Sequence, residues 1–128
     1  MLDFSKFEGD TSFFPFFEEI SKIPRGSGHC EKIADFLVEF ANKRGLFSYR
    51  DGYNNVVIKK PATEGYEKAP TIILQGHTDM VITKTADCET NIERDGVSLY
   101  IDGDFLRARG TTLGADDGVA VAYMLTIL

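Results

Sequence analysis

Two short stretches of the chain hold side chains that could do chemistry together. His77 and Asp79 stand two apart in Leu-Gln-Gly-His-Thr-Asp, and Asp116 and Asp117 are adjacent in Gly-Thr-Thr-Leu-Gly-Ala-Asp-Asp-Gly. In extended backbone, residues two apart project to the same side, so Asp79 can reach the His77 imidazole. A carboxylate bonded to one ring nitrogen fixes the tautomer and leaves the other nitrogen free for a metal. The second stretch precedes an apolar run and carries glycines at 110, 114 and 118, which permit close backbone approach. Each stretch has a plain structural explanation: a polar turn closing a strand, and an aspartate capping a helix. Yet one cap needs one aspartate. An acidic pair in a glycine-rich turn, with a His-x-Asp at a strand tip, is the composition of a metal site: imidazole and carboxylate ligands on backbone that folds tightly around an ion.

These side chains need elements to carry them. Residues 71–74 are apolar and β-branched and predict a buried central strand. Gly76 ends it where a bulky side chain would crowd whatever sits at the tip. His77 then falls at the strand's carboxyl end, the edge where open α/β sheets bind ligands. Upstream, residues 13–21 predict a short, phenylalanine-rich helix with Thr11 or Ser12 as cap and Pro15 in the first turn. Ile23-Pro24 stops it, and Arg25-Gly26-Ser27-Gly28 reads as a flexible turn. A second helix is expected over 29–44, with Ile33, Phe36, Leu37, Phe40 and Ala41 at helical spacing and Gly45 at its end. His29, at that helix's start, reads as solvated or capping.

Residues 46–49 and 56–59 predict two strands paired through Asp51-Gly52-Tyr53-Asn54-Asn55. Residues 61–70 form a surface loop, and 80–94 a long loop crossing the site, on which Asp87 and Glu89 read as solvated charges. Residues 97–101 and 104–107 suit a hairpin around Asp102-Gly103, a turn that accounts for the DxD spacing there. The run 118–128 predicts a helix apolar on every side, which should be buried on every side. With no following strand to cover it, the natural fold is expected to continue beyond it.

The 128 residues suit about one domain. A net charge of −6 without a basic patch argues against nucleic acid. No secretory signal opens the chain and no stretch reaches membrane-spanning length. Cys30 and Cys88 lie outside any CxxC pair and read as free thiols of a cytoplasmic chain. The absence of GxSxG and GxxxxGK[ST] removes serine-hydrolase and phosphate-loop readings.

Ile-Pro-Arg-Gly-Ser-Gly-His at 23–29, Lys-Pro-Ala-Thr at 60–63, Leu-Gln-Gly-His-Thr-Asp-Met-Val at 74–81, Tyr-Ile-Asp-Gly at 100–103 and Arg-Ala-Arg-Gly-Thr-Thr-Leu-Gly-Ala-Asp-Asp-Gly at 107–118 fall in an order and spacing that resembles one family. It is the dinuclear zinc exopeptidases of the carnosinase and bacterial aminoacyl-histidine (Xaa-His) dipeptidase group, and the likeness covers essentially the whole chain. The resemblance implies an α/β fold, here a partial α-β-α sandwich of the zinc-exopeptidase (phosphorylase/hydrolase-like) type. It implies that His77 ligates one metal, that Asp116 bridges two, and that Asp79 orients His77 as a catalytic residue. The implied cofactors are two divalent metal ions, most readily zinc, with cobalt or manganese as alternatives. Asp117 stands where some relatives carry asparagine.

In that family a glutamate general base, further acidic ligands, a distant histidine and an inserted lid domain follow the bridging aspartate. Residues 1–128 are therefore expected to be the N-terminal part of the metal-binding catalytic domain, inactive alone. The implied whole enzyme is a cytoplasmic dipeptidase acting on Xaa-His and related dipeptides through a metal-activated water. The alternatives are an N-acyl amino acid amidohydrolase of the same superfamily, and a non-catalytic truncated fragment. Partners are expected to be the dipeptide and, through exposed apolar surface at 119–128, a second copy of the chain; neither nucleic acid nor membrane is expected.

Overall fold

The computed structural model describes residues 1–128. Helix α1 (Phe14–Ser21) and helix α2 (Glu31–Lys43) precede a hairpin of β1 (Phe47–Arg50) and β2 (Val56–Lys59). A short helix α3 (Ile92–Asp95), a hairpin of β3 (Leu99–Asp102) and β4 (Phe105–Ala108), and helix α4 (Ala115–Ile127) complete the order. The α/β class read from the sequence holds.

Local chemistry explains the boundaries. At the end of α2, Gly45 takes φ +66°, its N–H donates to the Asn42 carbonyl at 3.1 Å, and the Leu46 N–H donates to the Ala41 carbonyl at 3.0 Å. That pair of bonds closes a Schellman motif, satisfying carbonyls the helix would leave bare. The start of α1 differs from expectation. Phe13 occupies the cap position without a side-chain bond, the Thr11 carbonyl accepts from Phe14 N–H, and Ser12 is held by the Asp10 carboxylate instead. A backbone turn replaces the predicted hydroxyl cap. In the first hairpin, the Asp51 carboxylate accepts from the N–H groups of Tyr53 and Asn55, both at 2.9 Å, and so braces the turn.

One core joins the helices. Phe13, Phe17 and Ile20 meet Ile33, Leu37 and Phe40 of α2 and Val121, Ala122 and Leu125 of α4. Apart from the small Ala122, each such side chain contributes about 1.5–3 kcal/mol when buried. α1 packs on α4, and α2 covers the β1–β2 hairpin. Met80, Ile92 and Val97 form a smaller core beneath the second hairpin, whose strands run Leu99↔Ala108 to Asp102↔Phe105.

Three expectations are corrected. Residues 71–74 form no strand, and Ile72 and Ile73 are 81% and 85% exposed. Each hairpin pairs only within itself, so no neighbour offers this segment the N–H and C=O groups that a strand needs. The loop 80–94 carries more structure than expected: α3, capped by the Asn91 side chain, and isolated bridges Gly26↔Met80 and Lys84↔Thr111. Helix α4 is buried along Val121, Ala122 and Leu125 while Tyr123 and Ile127 are exposed, so the larger apolar exposure lies at 72–74 rather than on the last helix.

Glu18 gives the fold a pH dependence. Its nearly buried carboxylate accepts from Lys22 Nζ and from the Leu2 N–H, both at 2.9 Å. Burial works against ionisation, but these two partners and the N-terminal ammonium outweigh it and hold the pKa below the ordinary glutamate value. A depressed folded pKa means stability present above the unfolded value and lost as pH falls through the folded one. Glu18→Gln is expected to cost about 1–2 kcal/mol at neutral pH. The difference from the parent should shrink in acid, measured by urea denaturation across that range; an equal loss at every pH would exclude the charge as its source.

Candidate metal centre

The His77 segment is held by the turn before α2. Met80 N–H donates to the Arg25 carbonyl at 2.9 Å, and Ser27 N–H donates to the Met80 carbonyl at 3.1 Å. This ladder fixes Thr78 to Met80 and brings Ser27 Oγ onto the Asp79 carboxylate in a short hydrogen bond. The hydroxyl, first, and then the His77 ring hold Asp79 below the ordinary carboxylate pKa, so it is an anion at neutral pH.

His77 uses both ring nitrogens. Nδ1 lies 3.0 Å from the Asp79 carbonyl oxygen and 3.2 Å from Asp79 Oδ1. Both partners are acceptors, so Nδ1 carries a proton. Nε2 lies 3.2 Å from Asp116 Oδ1. In a neutral ring two lone pairs would face each other there, and a proton or another cation must sit between or beside them. The Asp116 carboxylate is the main reason that the His77 pKa is raised; Asp79 adds to it.

Asp116 reaches the ring because α4 starts irregularly. Gly114 is left-handed at φ +72°, and Asp116 and Asp117 have non-helical φ/ψ across a cis peptide. Neither aspartate caps the helix, which corrects the structural explanation given to them above. Asp117 Oδ2 instead accepts from the His77 N–H at 3.3 Å. Gly76 is the crowded position the sequence suggested, and Asp117 is what sits there: a Cβ on Gly76 would lie 2.6 Å from Asp117 Oδ2.

His77, Asp79 and Asp116 are thus brought together, but on an irregular segment and a kinked helix start rather than at strand ends. The corner is open, with side-chain exposures of 52% for His77, 35% for Asp79 and 97% for Asp116. No third His, Cys, Asp or Glu joins His77 and Asp116 to make a fuller metal-binding group. Asp87 and Glu89 are exposed loop residues, and Asp102 accepts from Arg107 Nε at 2.8 Å beside its turn. His29 is exposed at the start of α2.

The chemistry of this donor set suits zinc. Ligands at the usual Zn–N and Zn–O distances in a tetrahedral shell stand about 3.3 Å from each other. The observed 3.2 Å between His77 Nε2 and Asp116 Oδ1 matches that edge. Sequence reasoning missed Arg25, Ser27 and the role of Asp117. The glycines at 76, 114 and 118 signalled close approaches, without saying of what.

The chain is 42% identical over 112 residues to the cytosol non-specific dipeptidase of Escherichia coli (strain K12), an alignment covering 88% of this chain and 23% of that protein. Its fold is similar to the crystal structure of aminoacylhistidine dipeptidase from Vibrio alginolyticus, with TM-score 0.87, 40% identity and coverage of 93% of this chain and 24% of that one. No protein-family model matches. The likeness drawn from the motifs holds, and the chain spans about a quarter of the length of these relatives. No helix is long and apolar enough to cross a membrane.

Proposed function

We propose that residues 1–128 supply one metal-ligating corner of a zinc-dependent dipeptidase, whose remaining ligands and general base come from outside these residues. The observation that carries this reading is the 3.2 Å separation of His77 Nε2 and Asp116 Oδ1, with Nδ1 committed to Asp79 and Nε2 left as a donor. His77 and Asp116 would hold zinc, and Asp116, 97% exposed, has its second oxygen free for another ion. A zinc site takes three or four protein ligands, so two donors cannot complete it. The metal, when bound, supplies charge that polarises the scissile carbonyl and acidifies water.

The chain's own residues prepare that site. Asp79 keeps the proton on Nδ1 and raises the ring's basicity as an anion does; Ser27 keeps Asp79 charged; Asp117 fixes the backbone of His77. Free dipeptides, Xaa-His among them, are the substrates this reading implies, with the cytosol as its compartment. The exposed Ile72, Ile73 and Leu74 favour self-association of the isolated chain.

Asp79→Asn tests the reading. The amide retains a hydrogen bond to the ring but not the charge, so zinc affinity should fall about ten- to a hundredfold with the fold intact. Calorimetric zinc titration alongside circular dichroism measures this. Unchanged affinity would remove the orienting role from Asp79.

A further inference from the structure

We propose that Arg25 is a positioning residue that sets the separation of His77 from Asp116. Its side chain is 1% exposed, yet it belongs to no ion pair within salt-bridge distance. Instead Nη1 donates to the Thr78 carbonyl at 3.0 Å and Nη2 to the Gly114 carbonyl at 2.7 Å. Thr78 follows His77, and Gly114 lies two residues before Asp116. One planar fork therefore ties together the two stretches of chain, far apart in sequence, that present the site.

The packing around it is built for this group. A Cβ on Gly114 would lie 2.6 Å from Nη2, and a Cβ on Gly118 would lie 2.7 Å from it. Both glycines clear space for the guanidinium, Gly118 where the regular part of α4 begins just after the kink at Asp116 and Asp117. Arg25 Nε is buried without a partner. A buried cation with an orphan donor is a poor source of stability, and an apolar side chain of that volume would commonly serve as well. What an apolar side chain cannot do is hold two carbonyls at a fixed spacing. Lysine cannot either, since its ammonium is a point charge rather than a rigid fork.

Because the purpose of that spacing presupposes the metal reading above, the test separates the two. Cobalt(II) binding to the chain is followed by visible absorption, and the ring nitrogen NMR signals of His77 are recorded without metal. Arg25→Lys should lower cobalt affinity about tenfold or more, as loss of an outer support typically does. It should also move the His77 signals toward those of Asp116→Ala. Gly118→Ala, which crowds the guanidinium while leaving Arg25 itself in place, should do the same and serves if Arg25→Lys does not fold. Glu18→Gln, a variant destabilised far from the site, should change neither readout, so stability loss alone cannot mimic the result. If His77→Ala abolishes cobalt binding while Arg25→Lys and Gly118→Ala match the parent in both readouts, the positioning role is overturned and the metal reading stands. If His77→Ala leaves cobalt binding intact, the metal reading fails, while displaced His77 signals in Arg25→Lys still uphold the role of Arg25 in setting the geometry.

Discussion

Alanine at His77 or at Asp116 is expected to lower the chain's affinity for zinc or cobalt by more than about a hundredfold, beyond the range typical of outer-shell changes. No third His, Cys, Asp or Glu joins these two side chains, so each removal leaves a single monodentate ligand of the pair in water. Neither change should disturb the fold. His77 is half exposed and Asp116 almost fully so, and neither belongs to the core that joins α1, α2 and α4. The other histidine provides the control: His29 is exposed on a different turn, and His29→Ala should bind metal as the parent does. Metal titration followed by calorimetry, with helix content checked by circular dichroism, decides the matter. Equal affinity in all three variants would mean that metal is held elsewhere or not at all.

How far the sequence reveals this corner depends on the range of the interactions involved. The His-x-Asp spacing acts over two residues, so Asp79 on the His77 ring was legible from the extended backbone alone. Helix α2 was equally legible, since its apolar periodicity and the glycine after it are local signals. The segment 71–74 failed because its composition reports what the residues would do with strand neighbours, and the pairing itself is not local. Arg25 failed for a related reason. A basic residue between proline and glycine reads as a surface turn, and its carbonyl partners at Thr78 and Gly114 are 53 and 89 residues away. Adjacency to a helix offers capping as the plain role of an aspartate there, while the irregular backbone of Asp116 and Asp117 points Asp117 at the His77 N–H. The α/β class survived these errors because it rests on the hairpins and helices, each specified locally.

Residues 1–128, even saturated with zinc or cobalt, are expected to hydrolyse dipeptides no faster than the metal alone. Attack of water on a peptide carbonyl needs a group to take its proton, a contribution of roughly a hundred- to ten-thousandfold in rate. Every carboxylate near the site is already engaged. Asp116 faces His77 Nε2, Asp79 accepts from the ring and from Ser27, and Asp117 accepts from the His77 N–H. Asp79 is a poor candidate for a second reason: its depressed pKa makes it a weak base at neutral pH. The corner is also open to solvent, which weakens any electrostatic stabilisation of the transition state relative to an enclosed site. Under the proposed reading, metal binding and turnover should therefore separate, with binding measurable and hydrolysis at the level of the metal alone. Incubation with a panel of dipeptides, Xaa-His included, beside a dipeptidase of the full length of the relatives, measures both properties. Metal-dependent turnover by the chain at a rate near that of the longer enzyme would show that a base lies within residues 1–128. Asp117→Asn would then be the first variant to make, since its carboxylate could be released from the His77 N–H by a modest shift of the α4 start.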